Sequence, residues 1–272
     1  MHESPIIALG GLRFDLSIIL MLIVTCTVVF VLARLATRNL SVENPGKLQN
    51  FMEWVVEFIQ NMISSTMDMK KGKPFLSLGM TLLMFIFVSN MLGLPFGIVT
   101  NYEDPAEATF FGKPLVSVQE LFAEAHEKNP EEHPHAAVQW WKSPTADAGV
   151  AMGLAGMIFL LVHILGMFRN TKAYFKHYVQ PFPFFLPINL IEQFSKLLTH
   201  GMRLFGNIFA GEVLISVLLK LAALGVAGSI ASVLGLIVWQ GFSIFVGAIQ
   251  AFVFTILTFV YISQATESHD EH

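Results

Sequence analysis

The chain has 272 residues, of which 54% are hydrophobic and 13% charged, with a net charge of -4; a soluble domain carries roughly 25% charged residues. That balance excludes a water-soluble fold, which could not hide so much apolar surface, and it gives no signal for nucleic acid. The apolar residues fall in long unbroken runs rather than in alternation, so the chain reads as an all-α integral membrane protein and not a β-barrel.

In chain order, residues 16–36 form the first predicted span. The single cysteine, Cys26, lies inside it, so no disulfide can form within the chain and a thiolate metal site is not indicated. Positive charge (Arg34, Arg38) follows this run instead of preceding it, which reads as a retained span rather than a cleaved signal peptide. Residues 48–67 differ. Leu48, Phe51, Met52, Val55, Phe58, Ile59, Met62 and Ile63 repeat at helical spacing, with Glu53, Glu57, Gln60, Asn61 and Ser64 opposite. The pattern predicts an amphipathic helix lying on the membrane surface, as a connector or as a docking face for a partner.

Residues 75–99 form a second predicted span, with Ser89 and Asn90 as intramembrane polar groups. Residues 101–147 form a polar loop with nine acidic and three basic residues. Its His126-Glu127-Lys128-Asn129-Pro130 stretch has proline where a zinc-protease motif needs histidine, and His126, His133 and His135 read as solvated loop residues. Residues 148–168 are a third span containing His163. A fourth helix, 187–224, is apolar but interrupted by Glu192, Lys196, Arg203, Glu212 and Lys220. The fifth span, 226–263, lies in a charge-free run of 46 residues, enough for one long tilted helix or two shorter elements, since ~20 residues cross the hydrocarbon core. The expected architecture is therefore about five membrane-spanning helices plus one amphipathic interfacial helix, with the last two spans long and strongly tilted.

Lysine and arginine set the orientation. Arg34, Arg38, Lys47, Lys70, Lys71 and Lys73, together with Arg169, Lys172 and Lys176, belong on the cytoplasmic side, and the acidic loop on the external side. The N-terminus is then external and the C-terminus cytoplasmic. No glycine–lysine pair has the upstream glycine of a phosphate-binding loop, so no nucleotide site is indicated.

Charge at membrane depth costs about 2.5–3.5 kcal/mol on insertion scales and marks function by default. On a helix, Glu192, Lys196, Arg203, Asn207 and Ala210 lie within roughly 40° of one line, flanked by Thr199 and His200. Glu192 and Lys196 are spaced as an i, i+4 pair. Arg203 has no acidic residue at i±3 or i±4. Its counter-charge must come from another helix, another subunit, lipid head groups or water. Glu212, nine residues further on, projects about 180° away and cannot pair with it directly. In the last span, Ser243, Gly247, Gln250, Phe254, Leu257 and Tyr261 recur along one seam, with Gln250 as its central polar group.

The run Gly201-Met202-Arg203-Leu204-Phe205-Gly206-Asn207-Ile208-Phe209-Ala210-Gly211-Glu212 closely resembles the core motif of subunit a of bacterial F-type (rotary) ATP synthases. Residues 250–258, Asn90-Met91-Leu92-Gly93-Leu94-Pro95, Ser143-Pro144-Thr145-Ala146-Asp147 and Asn50-Phe51-Met52-Glu53 are similar to further stretches of that family. The resemblance covers most of the chain. It implies a stator subunit of the membrane sector in the bacterial plasma membrane, beside a ring of c subunits that each carry one carboxylate. The b-subunit peripheral stalk and the remaining synthase subunits would be further partners, and no cofactor or metal is implied. Arg203 would face each passing carboxylate and separate two half-channels. Asn90, Asn207, Glu212, Gln250 and Ser243 would line the external one, and Glu192 and Lys196 would border the cytoplasmic one. Serine at 243 cannot relay charge as a titratable residue would, which leaves water or Glu212 alone to serve. Two other readings compete: a self-contained transporter, which the lack of an internal repeat disfavours, and a haem anchor using His163 and His200.

Overall fold

The computed structural model describes residues 3–93, 98–128, 135–169, 171 and 182–266. Lys172, Lys176, His133, Pro95 and the tail 267–272 lie outside the described residues. The architecture is helical: among the described residues five helices are long and apolar enough to cross a membrane.

Helix α1 (Leu16–Ala36) starts where Asp15 caps it, its carboxylate accepting from the Ser17 and Ile18 amides at 2.9 and 3.3 Å. Helix α2 (Lys47–Thr66) is amphipathic as expected, but its apolar face does not rest on lipid. Met52, Val55, Ile59, Met62 and Ile63 are buried against the end of α1 and against two later spans. An apolar stripe gains the same burial from neighbouring helices as from a bilayer, and here the protein supplies it. Phe51 and Trp54 stay exposed, and the Trp54 ring stacks at 5.7 Å on half-buried Phe58.

The second span consists of a short helix α3 (Met69–Gly72), a single 3-10 turn (Lys73–Phe75) and α4 (Leu76–Leu92). The helix therefore stops at Leu92 and not at residue 99. Two contacts fix that end. The indole of Trp141 donates to the Leu92 carbonyl at 2.7 Å, satisfying one of the acceptors a helix end leaves free. Gly93 lies so close to Ser143 that an added Cβ would meet the serine Cβ at 2.6 Å, so only glycine fits.

The third span is α6 (Ala148–Arg169). The last two are α7 (Leu186–Ala222) and α8 (Val226–Thr266), of 37 and 41 residues. From Val226 onward the charge-free run thus forms one uninterrupted helix. At 1.5 Å per residue each is about twice the thickness of a hydrocarbon core, so both must run obliquely. The turn between them uses Gly225 at φ +102°, a left-handed conformation that glycine adopts without strain. Gly235 against Leu218, Gly211 against Trp239, and His200 against Phe254 set the antiparallel register of the hairpin.

The stretch expected to be a plain loop is folded, and the N-terminal residues belong to it. Strands β1 (Ile6–Leu9) and β2 (Leu12–Asp15) form a hairpin turned by Gly10 and Gly11, both at positive φ. Strand β3 (Val99–Tyr102) pairs with β6 (Ala136–Gln139), and β4 (Thr109–Phe110) with β5 (Lys113–Pro114). Helix α5 (Val116–Lys128) closes over them, and Ile7, Ala108, Leu115, Val118, Phe122, Ala136 and Val138 form a small core.

This cap is tied to the spans by a largely buried ion pair. Lys142 Nζ donates to Asp15 Oδ2 and to Ser4 Oγ, both at 2.7 Å. Burial alone would raise the Asp15 pKa. Hydrogen bonds from Lys142 and Ser17, the Lys142 charge and Ser4 outweigh it and hold the carboxyl below its ordinary 3.8. A depressed folded-state pKa means stability present above 3.8 and lost as pH falls through the folded value. The protection factors of β1 and β2 against amide hydrogen exchange should therefore fall in acid as pH drops through that value. Asp15→Asn should weaken their protection at neutral pH by on the order of 3 kcal/mol, because it strands the lysine charge.

Candidate ion-translocation site

Helix α7 forms because its polar groups are few and spaced at helical intervals among strong helix formers. Gly201, Leu204 and Gly211 are buried: Gly201 against Met152 and Ala155 of α6, Gly211 against Trp239 of α8. These contacts turn the charged stripe of α7 outward. Lys196 Nζ and Glu192 Oε1 are 2.9 Å apart, the i, i+4 pair expected from their spacing. Arg203 is exposed on the surface of the chain. Among the described residues no acidic group and no hydrogen-bond acceptor pairs with its guanidinium. Asn207 is half-buried one turn further on, and Ala210 is exposed beyond it.

The hairpin register brings Gln250 to the level of Arg203 and half-buried Ser243 to the level of Ala210. The seam on α8 faces inward: Gly247, Gln250 and Phe254 are all buried. Around the two groups lies a wide apolar surface, with Met202, Phe209, Val213 and Val217 exposed on α7 and Val233, Ile237 and Val238 exposed on α8. Glu212 is exposed and within electrostatic reach of Lys142, on the side of the molecule that carries the cap. It does not pair with Arg203.

Asn90 is 6% exposed, and both ends of its carboxamide are engaged within the chain. Its Nδ2 donates to the Gly247 carbonyl at 3.0 Å, and Thr145 Oγ1 donates to its Oδ1 at 2.8 Å. Ser143, with a single hydroxyl proton to give, has Thr145 Oγ1 at 2.7 Å and the Ser89 carbonyl at 2.9 Å as its acceptors. The knot joins α4, the 3-10 turn Pro144–Ala146 and α8. Sequence reasoning singled out Asn90 and Ser89 but gave no role to Ser143, Thr145 or Trp141. The available signal was the run of hydroxyl residues directly before the third span.

His163 Nδ1 lies 2.8 Å from the Phe159 carbonyl, and the residue sits within electrostatic reach of Lys196. His200 is buried, its ring stacked on Phe254 with centroids 3.9 Å apart. The two histidines stand on different helices. Among the described residues no three His, Cys, Asp or Glu side chains gather as a metal site.

The knot's geometry has a measurable consequence. Thr145→Val leaves the Asn90 side-chain carbonyl without its buried donor, and such orphaning costs about 1–3 kcal/mol. The variant should lower the unfolding midpoint of the detergent-solubilised protein, and Thr145→Ser should restore most of it.

Residues 18–263 match the ATP synthase A chain family. The chain is 46% identical to the ATP synthase subunit a of Bacillus subtilis over 278 residues, covering 99% of both chains. It is 46% identical to that of Anoxybacillus flavithermus, covering 99% of both, and 44% identical to that of Listeria monocytogenes, covering 100% of this chain and 99% of the relative. The five apolar helices and this kinship make it a multi-pass protein of the bacterial plasma membrane. The chain belongs to the ATP synthase A chain family, the proton-translocating membrane-sector subunits that are not catalytic by themselves.

Proposed function

We propose that this chain is the stator half of the proton motor, with Arg203 facing the carboxylates of a c-subunit ring that sweeps past the exposed apolar surface of α7 and α8. The observation that carries this reading is the arginine itself. Its charge lies deep in an apolar helix, exposed on the chain and unmatched among the described residues. A positive charge at membrane depth requires a partner, and a passing carboxylate supplies it. The arginine favours the ionised form of that carboxylate, because an adjacent opposite charge lowers a carboxyl pKa. It also bars a direct proton leak between two half-channels that end on either side of it.

Asn207, Glu212, Gln250 and Ser243 line the external half-channel. Asn90 serves that half-channel by holding α8 in place through the Gly247 carbonyl. The Glu192–Lys196 pair borders the cytoplasmic one. The basic residues between α1 and α4 place that face in the cytoplasm and the acidic cap outside, with the N-terminus external and the C-terminus cytoplasmic. The b-subunit stalk and the remaining synthase subunits complete the assembly. Rotation is driven by the membrane potential, about 2.3 kcal/mol per charge per 100 mV.

Replacing Arg203 with alanine in the assembled complex should abolish proton-driven ATP synthesis while c-ring retention persists; normal synthesis would reject the reading. Glu212→Gln should slow proton flow by about 10²-fold, the usual worth of a positioned proton-transfer group. Unchanged flow in dye-loaded vesicles would remove Glu212 from the path.

A further inference from the structure

His200 is 3% exposed, and neither Nδ1 nor Nε2 has a hydrogen-bond partner among the described residues. A neutral imidazole carries one donor and one acceptor. Leaving both unmet in the interior costs about 1–3 kcal/mol for each. An apolar side chain of similar size would stack on Phe254 equally well without that penalty. The polarity of residue 200 therefore calls for a partner outside the chain's own hydrogen-bonding groups.

Its position indicates which partner. At 100° per residue, Glu192, Lys196, His200, Arg203 and Asn207 all lie within about 80° of arc. His200 fills the step between the Glu192–Lys196 pair and Arg203, and Arg203 lies within its electrostatic reach. On the opposite side, its ring meets Phe254 at 3.9 Å and the edge of Tyr261 at 5.6 Å, so a phenol stands in the same cluster. An internal water needs two to four polar neighbours. The unpartnered imidazole supplies one, and Tyr261 and Arg203 are polar residues beside it on α8 and α7.

We propose that His200 holds water between the Glu192–Lys196 pair and Arg203, as a positioning residue of the half-channel that opens on the α2 side. This rests on the half-channel reading of that pair. The test uses the assembled complex in inverted membrane vesicles stripped of the soluble catalytic part, with passive proton conduction followed by a pH-sensitive dye. His200→Phe keeps the ring stack and removes both nitrogens. Conduction should fall about tenfold, the equivalent of one lost buried hydrogen bond, while His200→Gln retains at least about half. Wild-type conduction in the phenylalanine variant overturns the proposal, as does an equal loss in both variants, which would trace to packing.

A second measurement does not depend on any variant folding. Hydroxyl-radical footprinting of the wild-type complex labels side chains beside bound water. His200 should be labelled well above Phe259, which is fully buried; labelling no higher than Phe259 overturns the proposal. The double variant Glu192→Gln, Lys196→Ala separates the two levels of inference. If it conducts normally, the half-channel reading fails. If it is slow while His200→Phe is not, only the role of His200 fails.

Discussion

The mechanism proposed for this protein rests on one uncompensated charge. A guanidinium at membrane depth is tolerated only where something neutralises it, and among the described residues nothing does. The packing around it is arranged so that this stays true. Gly201 and Gly211 let α7 sink against α6 and Trp239, which turns the arginine away from the chain's own helices. Glu212 is kept half a helical turn and several residues away, where it cannot collapse onto Arg203. Under the stator function proposed above, a paired arginine would be inert toward a passing carboxylate, so the arrangement that looks costly in the isolated chain is the one that would let it act.

Beside that open face stands a tightly satisfied interior. The hydroxyls of Ser143 and Thr145, the Asn90 carboxamide and the Gly247 carbonyl form a closed set in which the donors meet acceptors. Polar groups in a low-dielectric interior stabilise when fully matched and destabilise when not. The chain thus separates two kinds of polarity: matched groups that hold the helices, and the unmatched Arg203 charge left exposed on α7.

Much of this was legible in the residues. The spacing of Glu192 and Lys196 specifies an ion pair because i, i+4 groups are neighbours on any helix. The long charge-free run after Lys220 specifies membrane-embedded helix. Other features depend on partners distant in sequence. Leu92 ends α4 because Trp141 and Ser143 meet it there, and nothing within 75–99 reveals that. Helix α2 has the composition of a surface helix, yet it packs on protein, because periodicity identifies an apolar face and not what covers it. The cap was least legible. Its strands are short, and its core draws on residues as far apart as Ile7 and Val138, so local pattern carries little of it.

Two hydrogen bonds help fix the direction of helix α8. Asn90 holds it at Gly247, and the Ser263 hydroxyl donates to the Thr66 carbonyl at 2.9 Å. These points are sixteen residues apart, or ~24 Å along the axis. One pin would let a rod pivot; two at that separation fix its direction. The remaining stretch, from Val226 to the residue before Gly247, projects ~31 Å past the inner pin toward the Gly225 turn. Mechanically it is a cantilever. A sideways load on the outer face bends such a beam most at its tip, so elastic yielding belongs to the α7–α8 turn, while the level of Arg203 and Gln250, just inside the support, stays stiff.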